Sequence, residues 1–342
     1  MKRPPRDRID GVLLLDKPLG LSSNDALVRA RRMLNAEKAG HGGTLDPLAT
    51  GLLPILCGEA TKFAHGLLDA DKTYLAELVL GEITTGGDGE GEVIERRPVT
   101  CDEAAVRAAC AAFVGEIDQV PPMHSALKRD GRPLYELARE GVVVEREARR
   151  VVIHEIEVVG VSLPRVTIRV HCSKGTYIRS LAVDIGERLG CGAHLGGLRR
   201  EAVGTLALDP PLTVAGAVTL DALEALDAPQ RRARLLPFDR LLGRLRRIDL
   251  PAAEAARFSN GARIRISPRI ASPDSAVADG AAPGHGAVIE SSSVRVYADE
   301  RLLGVATLID GLLAPLRLVA PHSSHPPAAA IESDRTTLEI PS

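Results

Sequence analysis

Short apolar runs alternate with amphipathic stretches along the chain, and together they predict a mixed order of strands and helices. "DGVLLL" at 10–15 is a continuous apolar run of strand length, and "SSNDALVRARRML" has helical spacing with Ser22, Ser23 or Asn24 as the cap. "ATKFAHGLL" at 60–68 reads as helix, "KTYLAELVLG" at 72–81 as strand, and the glycine-acid run "TTGGDGEGE" at 84–92 as a flexible turn. The start of that run has a faint calcium-loop look but lacks the twelve-residue ligand pattern. "TCDEAAVRAACAAFVG" is a capped helix with Gly115 beyond its end. A cation-rich loop and helix follow at 120–141, and then "VVIHEIEVVGV" and "RVTIRVHC" as strands. "GTYIRSLAVDIGERLG" is a helix stopped by Gly190, with Ile178, Leu181, Ile185 and Leu189 as its buried stripe. Strands and helices that alternate without strict βαβ spacing predict an α+β fold with a mixed sheet.

From about residue 246 the pattern changes to short helix and strand signals joined by turns, the mark of a compact β module. Within it, 267–287 is rich in Pro, Ala, Gly and Ser and is expected to be a flexible excursion, and 321–342 a disordered tail. The expected units are therefore 8–245, 246–320 and the tail.

One stretch resists assignment by pattern alone: "AGHGGTLDPLATG" at 39–51. Asp followed by Pro suits a helix start, so "DPLAT" closed by Gly51 could be one turn capped by Asp46. Capping needs neither the upstream glycines nor His41. Glycine-crowded amides can cradle a phosphate, yet the Lys-Ser/Thr pair of a P-loop is missing. The loop marks a site without naming its chemistry.

Composition narrows the classes. The 342 residues suffice for a full core and two domains, and 45% hydrophobic with 26% charged residues is ordinary for a globular chain. The basic N-terminal segment has four consecutive apolar residues before Asp16, too few for a signal-peptide core, and no run approaches a membrane span. Five scattered cysteines fit reduced thiols in the cytoplasm. His171, Cys172, Cys191 and His194 could supply zinc ligands, but His171 and Cys172 are neighbours on a predicted strand and point to opposite faces, so no metal site is expected. A net charge of −2 does not announce a nucleic-acid binder; the clusters at 29–32, 128–132, 146–150 and Arg199-Arg200 matter only if they surround one cleft.

Five segments in order, "LLLDKPLGLSSNDAL", "GHGGTLDPLATGLLPI", "KTYLAEL", "PPMHSALKRDGRPLYELAREG" and "GTYIRSLAVDIGERLGCGAHLGGLRR", resemble the TruB-type bacterial tRNA pseudouridine-55 synthases. The likeness runs from about 8 to 205 and continues more weakly into the C-terminal module, which resembles a PUA-type RNA-binding domain. The resemblance implies a pseudouridine-synthase fold, a mixed sheet flanked by helices. It implies isomerisation of a tRNA T-loop uridine, with no metal or organic cofactor. Asp46 matches the catalytic aspartate, and Arg179 the arginine that pairs with it. A cation in a helix's first turn opposes the macrodipole, which independently calls for an anionic partner. Tyr74 matches the tyrosine that stacks on the flipped base, and Tyr177 and Leu198 match further pocket residues. His41 matches the histidine that fills space left by flipped bases. Lys17 and Pro18 match the first motif at the cleft edge, and Asp88 a loop bordering the site. Gly42 stands where the family more often has Thr. The segment 124–150 resembles an inserted thumb whose Lys128, Arg129 and Arg132 would meet phosphates. On this reading the loop glycines let RNA approach. The enzyme is expected to be a cytoplasmic monomer that binds the T-arm stem-loop without membrane or obligatory protein partner. The alternatives are a non-catalytic RNA-binding or RNA-folding protein on the same scaffold, or a related synthase acting on another RNA.

Overall fold

The apolar run near the N-terminus forms strand β1 (Gly11–Lys17), buried along almost its whole length, as a strand covered on both faces must be. In the computed structural model, residues 5–123, 125, 127–129, 131–142, 144–208, 216–266 and 292–320 are described. Helix α1 (Ser23–Met33) follows, with the Ser22 hydroxyl accepting the Asp25 amide at 3.1 Å. Next come β2 (Ala39–His41) and β3 (Ala49–Cys57). The helix expected over 60–68 is split: a 3-10 segment, Gly58–Phe63, precedes α2 (Ala64–Asp69). Glu59 and Lys62 pair across three residues at 2.7 Å, which suits the tighter winding.

Strands β4 (Lys72–Leu80), β5 (Glu82–Thr84) and β6 (Val93–Arg96) lead to α3 (Glu103–Ala111), capped by Asp102, and then β7 (Gly115–Gln119). A two-stranded hairpin, β8 (Lys128–Arg129) with β9 (Arg132–Pro133), and α4 (Leu134–Arg139) lie within the expected thumb. The chain continues through β10 (Arg149–Ser162), β11 (Arg165–Cys172), α5 (Ile178–Arg188), β12 (Ala193–Val203), β13 (Leu206–Ala207), β14 (Val218–Thr219), α6 (Leu220–Ala225) and α7 (Ala228–Ala233).

Ten of these strands build one sheet in the order β14-β1-β3-β12-β4-β11-β10-β7, with β2 beside β3 and β13 beside β12. The β1–β14 and β3–β12 pairs are parallel and the others antiparallel, so the sheet is mixed. Strand β12 sits at its centre. Leu198, Arg199 and Arg200 face Ala49, Thr50 and Gly51 on one side, and Ala76, Leu75 and Tyr74 on the other. Helices α3 and α5 cover one apolar cluster and α1 and α6 another. Ile178, Leu181 and Ile185 of the predicted stripe are buried in the first, with Leu189 at its margin.

The C-terminal module is a five-stranded sheet, order β15-β17-β18-β19-β16, made of β15 (Arg246–Asp249), β16 (Ile264–Arg265), β17 (Ser292–Ala298), β18 (Arg301–Ile309) and β19 (Leu312–Leu318), with α8 (Ala252–Ser259) packed on it. It joins the larger sheet through a shared core in which Phe63 stacks on Phe238 at 5.9 Å beside Leu302 and Val305. The Tyr297 hydroxyl donates to Asp239 Oδ2 at 3.0 Å. The expected excursion at 267–287 and the tail at 321–342 lie outside the described residues. Among the described residues, no helix is long and apolar enough to cross a membrane.

Candidate functional site

The loop from His41 to Ala49 is held from several sides. Gly42 donates to the Pro54 carbonyl at 2.9 Å. The buried Ser23 hydroxyl donates to the Leu45 carbonyl at 2.9 Å and accepts the Leu45 amide at 2.7 Å. Asp-Pro does open a single turn, closed at Ala49 and not at Gly51, but no helix grows from it. The Asp46 carbonyl accepts the Ala49 amide at 3.0 Å, and β3 begins at once. Tertiary pairing overrides the local signal here, because Ala49–Gly51 run parallel to Leu198–Arg200. Gly51 lies inside that strand rather than closing a turn. The glycines answer to the protein's own packing: a Cβ at Gly42 would lie 2.4 Å from Leu67, and one at Gly51 2.3 Å from the Arg200 carbonyl. Leu67 thus fills the space that a side chain at position 42 would need.

Arg179, buried in the first turn of α5, holds two carboxylates. Its Nη2 lies 3.0 Å from Asp46 Oδ2, and its Nη1 donates to Asp88 Oδ2 at 3.1 Å. Asp88 is buried, whereas the Asp46 side chain is 45% exposed, so the second carboxylate secures the arginine and the first faces outward. The loop carrying Asp88 is not the flexible turn its glycines suggested. Gly89 donates to the Leu195 carbonyl at 2.9 Å and Leu195 donates to the Gly87 carbonyl at 3.0 Å, tying the loop to β12. Helix α5 has no side-chain cap of its own. Gln119 from β7 takes that part, accepting the Tyr177 amide at 2.8 Å and donating to the Tyr177 carbonyl at 3.1 Å.

Around this pair stand the other expected pocket residues. Tyr74 on β4 is half-buried and, like Leu198, packs against the cluster under α1 and α6, and burial pushes its phenol above the usual range. Burial likewise raises Tyr177. Lys17 is fully buried, donating to the Pro18 and Leu21 carbonyls at 2.9 and 2.7 Å; burial lowers it to about 8, with Asp46 opposing and Arg200 reinforcing the shift. At the end of β2, His41 is held below the ordinary imidazole value by burial and then by the Arg200 charge, and its Nδ1 is buried without a hydrogen-bond partner among the described residues.

Two residues escaped the sequence reading. Gln119 carried no motif. Arg200 stands out in sequence only as half of the Arg199-Arg200 charge cluster, yet it is 1% exposed and directs its guanidinium at the Gly43, Thr44 and Leu52 carbonyls. Its neighbour Arg199 is partly exposed and bidentate on Asp16 at 3.0 and 2.7 Å. In the expected thumb, Arg132 is exposed and pairs with Glu140 at 2.6 Å, while the backbone register sets it opposite Arg129 and places Lys128 opposite Pro133. A cleft of about 470 Å³ opens there, lined by Leu127, Leu134, Arg146 and Arg149 among others, away from Asp46.

His171 and Cys172 point apart as expected, the cysteine into the core and the imidazole toward His154 at 4.8 Å between ring centroids. Among the described residues, the one set that brings three potential metal-ligand side chains together is Asp71, His154 and His171, within 4.8 Å, and it does not include Asp46 or its partners.

The geometry at the centre is a half-exposed aspartate held at 3.0 Å by a buried arginine. The model of the TruB family pseudouridylate synthase N-terminal domain matches residues 31–178. Models of the tRNA pseudouridylate synthase B C-terminal domain and the pseudouridine synthase II TruB C-terminal region match 179–243 and 247–319. A Burkholderia mallei protein named tRNA pseudouridine synthase B is 59% identical over 318 residues, covering 93% of this chain and 96% of its own length. One from Cupriavidus pinatubonensis with the same name is 59% identical over 322 residues, with 93% and 96% covered. Among solved structures, an archaeal box H/ACA sRNP Nop10–Cbf5 complex superposes at TM-score 0.64 with 25% identity, covering 93% of this chain and 88% of the other. A Cbf5–Nop10–Gar1 complex gives 0.65 and 26%, with 93% and 87% covered. The chain belongs to the TruB family of pseudouridine synthases.

Proposed function

We propose that this protein isomerises uridine to pseudouridine at position 55 in the T-loop of tRNA, with Asp46 as the catalytic group. The observation that carries the reading is the Asp46–Arg179 pair at 3.0 Å, half-open to solvent on one side and anchored by buried Asp88 on the other. In the reaction the N1–C1′ bond breaks, the uracil turns, and C5 bonds to C1′; the C5 proton is lost and N1 gains one, so no redox partner enters. One carboxylate can serve this course, attacking the nucleoside and then leaving. Arg179 fixes Asp46 Oδ2 and so leaves the second oxygen for the reacting centre. The target must be turned out of its stack, and the Tyr74 ring would return part of that stacking, roughly 1–3 kcal/mol. Leu198 and Tyr177 would wall the pocket, Lys17 would brace its edge, and His41 would take the space vacated by flipped bases. On this reading the enzyme acts on the T-arm in the cytoplasm as a monomer without an obligatory protein partner.

Asp46→Asn tests the assignment, since it keeps size and removes the charge and the nucleophilic oxygen. Site-resolved mapping on an isolated T-arm stem-loop should show wild-type conversion and none by the variant, with folding and RNA affinity near wild type. Near-normal conversion by Asp46→Asn would make the catalytic assignment wrong. Conversion by neither protein would favour an RNA-binding role on this scaffold.

A further inference from the structure

We infer that Arg200 is the positioning residue of this site: its buried guanidinium holds the loop that carries Asp46 beside the Tyr74 side chain, so that the two faces of the pocket keep one spacing. The inference rests on the pseudouridine reading above and adds a residue that acts through others without meeting the substrate. Arg200 is 1% exposed, and among the described residues no carboxylate pairs with it. Burying an unpaired cation is costly unless dipoles satisfy it. Here the dipoles all belong to the site. Nη2 donates to the Gly43 carbonyl at 3.2 Å, Nη1 to the Thr44 carbonyl at 3.3 Å, and Nε to the Leu52 carbonyl at 2.8 Å, so the contacts bracket Asp46 on both sides. Arg200 stands directly opposite Tyr74 in the antiparallel β12–β4 register, so the two side chains share one face of the sheet and the guanidinium charge acts on the phenol.

Two further observations point the same way. Strand β3 runs hard against the Arg200 backbone, since a Cβ at Gly51 would lie 2.3 Å from the Arg200 carbonyl oxygen. Its charge also reaches Lys17 and His41, the residues expected at the pocket edge, and lowers both. A planar fork with five donors can hold three carbonyls together. An ammonium, compact and with three donors, cannot span the same set.

The test compares wild type, Arg200→Lys and Tyr74→Phe on the isolated T-arm stem-loop, reading single-turnover rate, RNA affinity and thermal unfolding separately. Wild-type conversion establishes the underlying reading by itself. Given that, Arg200→Lys should lower the single-turnover rate 10- to 100-fold per folded molecule, with RNA affinity within threefold of wild type. A rate within twofold of wild type, or a loss explained entirely by the unfolded fraction, would overturn the inference. Should Arg200→Lys not fold, Tyr74→Phe decides. It keeps the stacking ring and cuts only the hydroxyl, so it should slow the rate at unchanged affinity, and a wild-type rate would overturn the coupling. Arg200→Ala with millimolar methylguanidinium gives the independent readout. Recovery of at least tenfold in rate is expected for a positioning cation, and no recovery in a folded variant counts against it.

Discussion

At Lys17 the protein places an amine wholly out of water, with two carbonyls to receive it and Asp46 as a nearby opposite charge. Burial brings it down to about 8 from 10.5, so the folded state gives up this proton before the unfolded chain does. Between those values the unfolded chain binds more protons, and stability must therefore rise with pH. The cost of the charge is fully present below about 8 and is relieved as pH climbs toward 10.5. The unfolding free energy of wild type relative to Lys17→Met should then grow between pH 7.5 and 10, on the order of 1–3 kcal/mol. A difference that stays flat would show Lys17 titrating as a solvated lysine. A second prediction contrasts two glycines. Gly51 has φ +99 and no room for a Cβ beside the Arg200 carbonyl, so Gly51→Ala should destabilise by roughly 2–4 kcal/mol. Gly66 lies within helix α2 with open space around its Cβ position, so Gly66→Ala should stabilise by roughly 0.5–1 kcal/mol. Urea unfolding of the pair checks both signs. The Asp46–Arg179 pairing was legible because family motifs surround both residues, and the place of Arg179 in a helix's first turn supports an anionic partner. Arg200 was not, since two adjacent arginines look alike in sequence and only the sheet sends one inward and the other to Asp16.

The elements show the same division between local and distant causes. Helix α1 was legible from its apolar spacing and cap signals, and Ser22 proved to be the cap. Its neighbour Ser23 does something no local rule foresees: it bonds both backbone groups of Leu45, twenty-two residues ahead and next to Asp46. Ser23→Ala leaves a buried N–H and a buried C=O without their partner, at a cost of about 1–3 kcal/mol each. The expected outcome is a loss of roughly 2–4 kcal/mol in denaturant unfolding and a lower single-turnover rate in the folded variant, because the loop bearing Asp46 loses a tether. Unaltered stability would mean that the two bonds contribute nothing net. Strand β3 makes the complementary point. Its pairing with β12 joins residues some 150 positions apart, and that distant partner turned the Asp-Pro signal from a helix start into a strand entry. The glycine-acid run before β6 was misread for the same reason, since Leu195 supplies the bonds that fix it.

Over the whole molecule, a net charge of −2 must be reconciled with a polyanionic substrate. Local placement can do this, because phosphate contacts depend on the cations at the interface and not on the sum. The two-stranded hairpin β8–β9, separate from the large sheet, carries Lys128, Arg129 and Arg132 close together in sequence. Arg132 is engaged by Glu140 at 2.6 Å, but both side chains are about half exposed. Such an exposed pair is worth about 0–1 kcal/mol, so a phosphate can displace the carboxylate at little cost. Replacing Lys128, Arg129 and Arg132 together by alanine should weaken T-arm binding and flatten its salt dependence, by about 0.7–0.9 in the log–log slope for each phosphate contact removed. The rate at saturating RNA should hold, since the Asp46–Arg179–Asp88 set and its tethers do not involve the hairpin. Affinity measured at several salt concentrations, alongside single-turnover rates, separates the two effects. If the slope and affinity stay at wild-type values, the cations that meet RNA lie elsewhere, and Arg146 and Arg149 at the neighbouring cleft become the residues to replace next. A fall in rate at saturation with unchanged affinity would instead tie the hairpin to the chemistry, through the Gln119 contacts that join the end of β7 to the helix of Arg179.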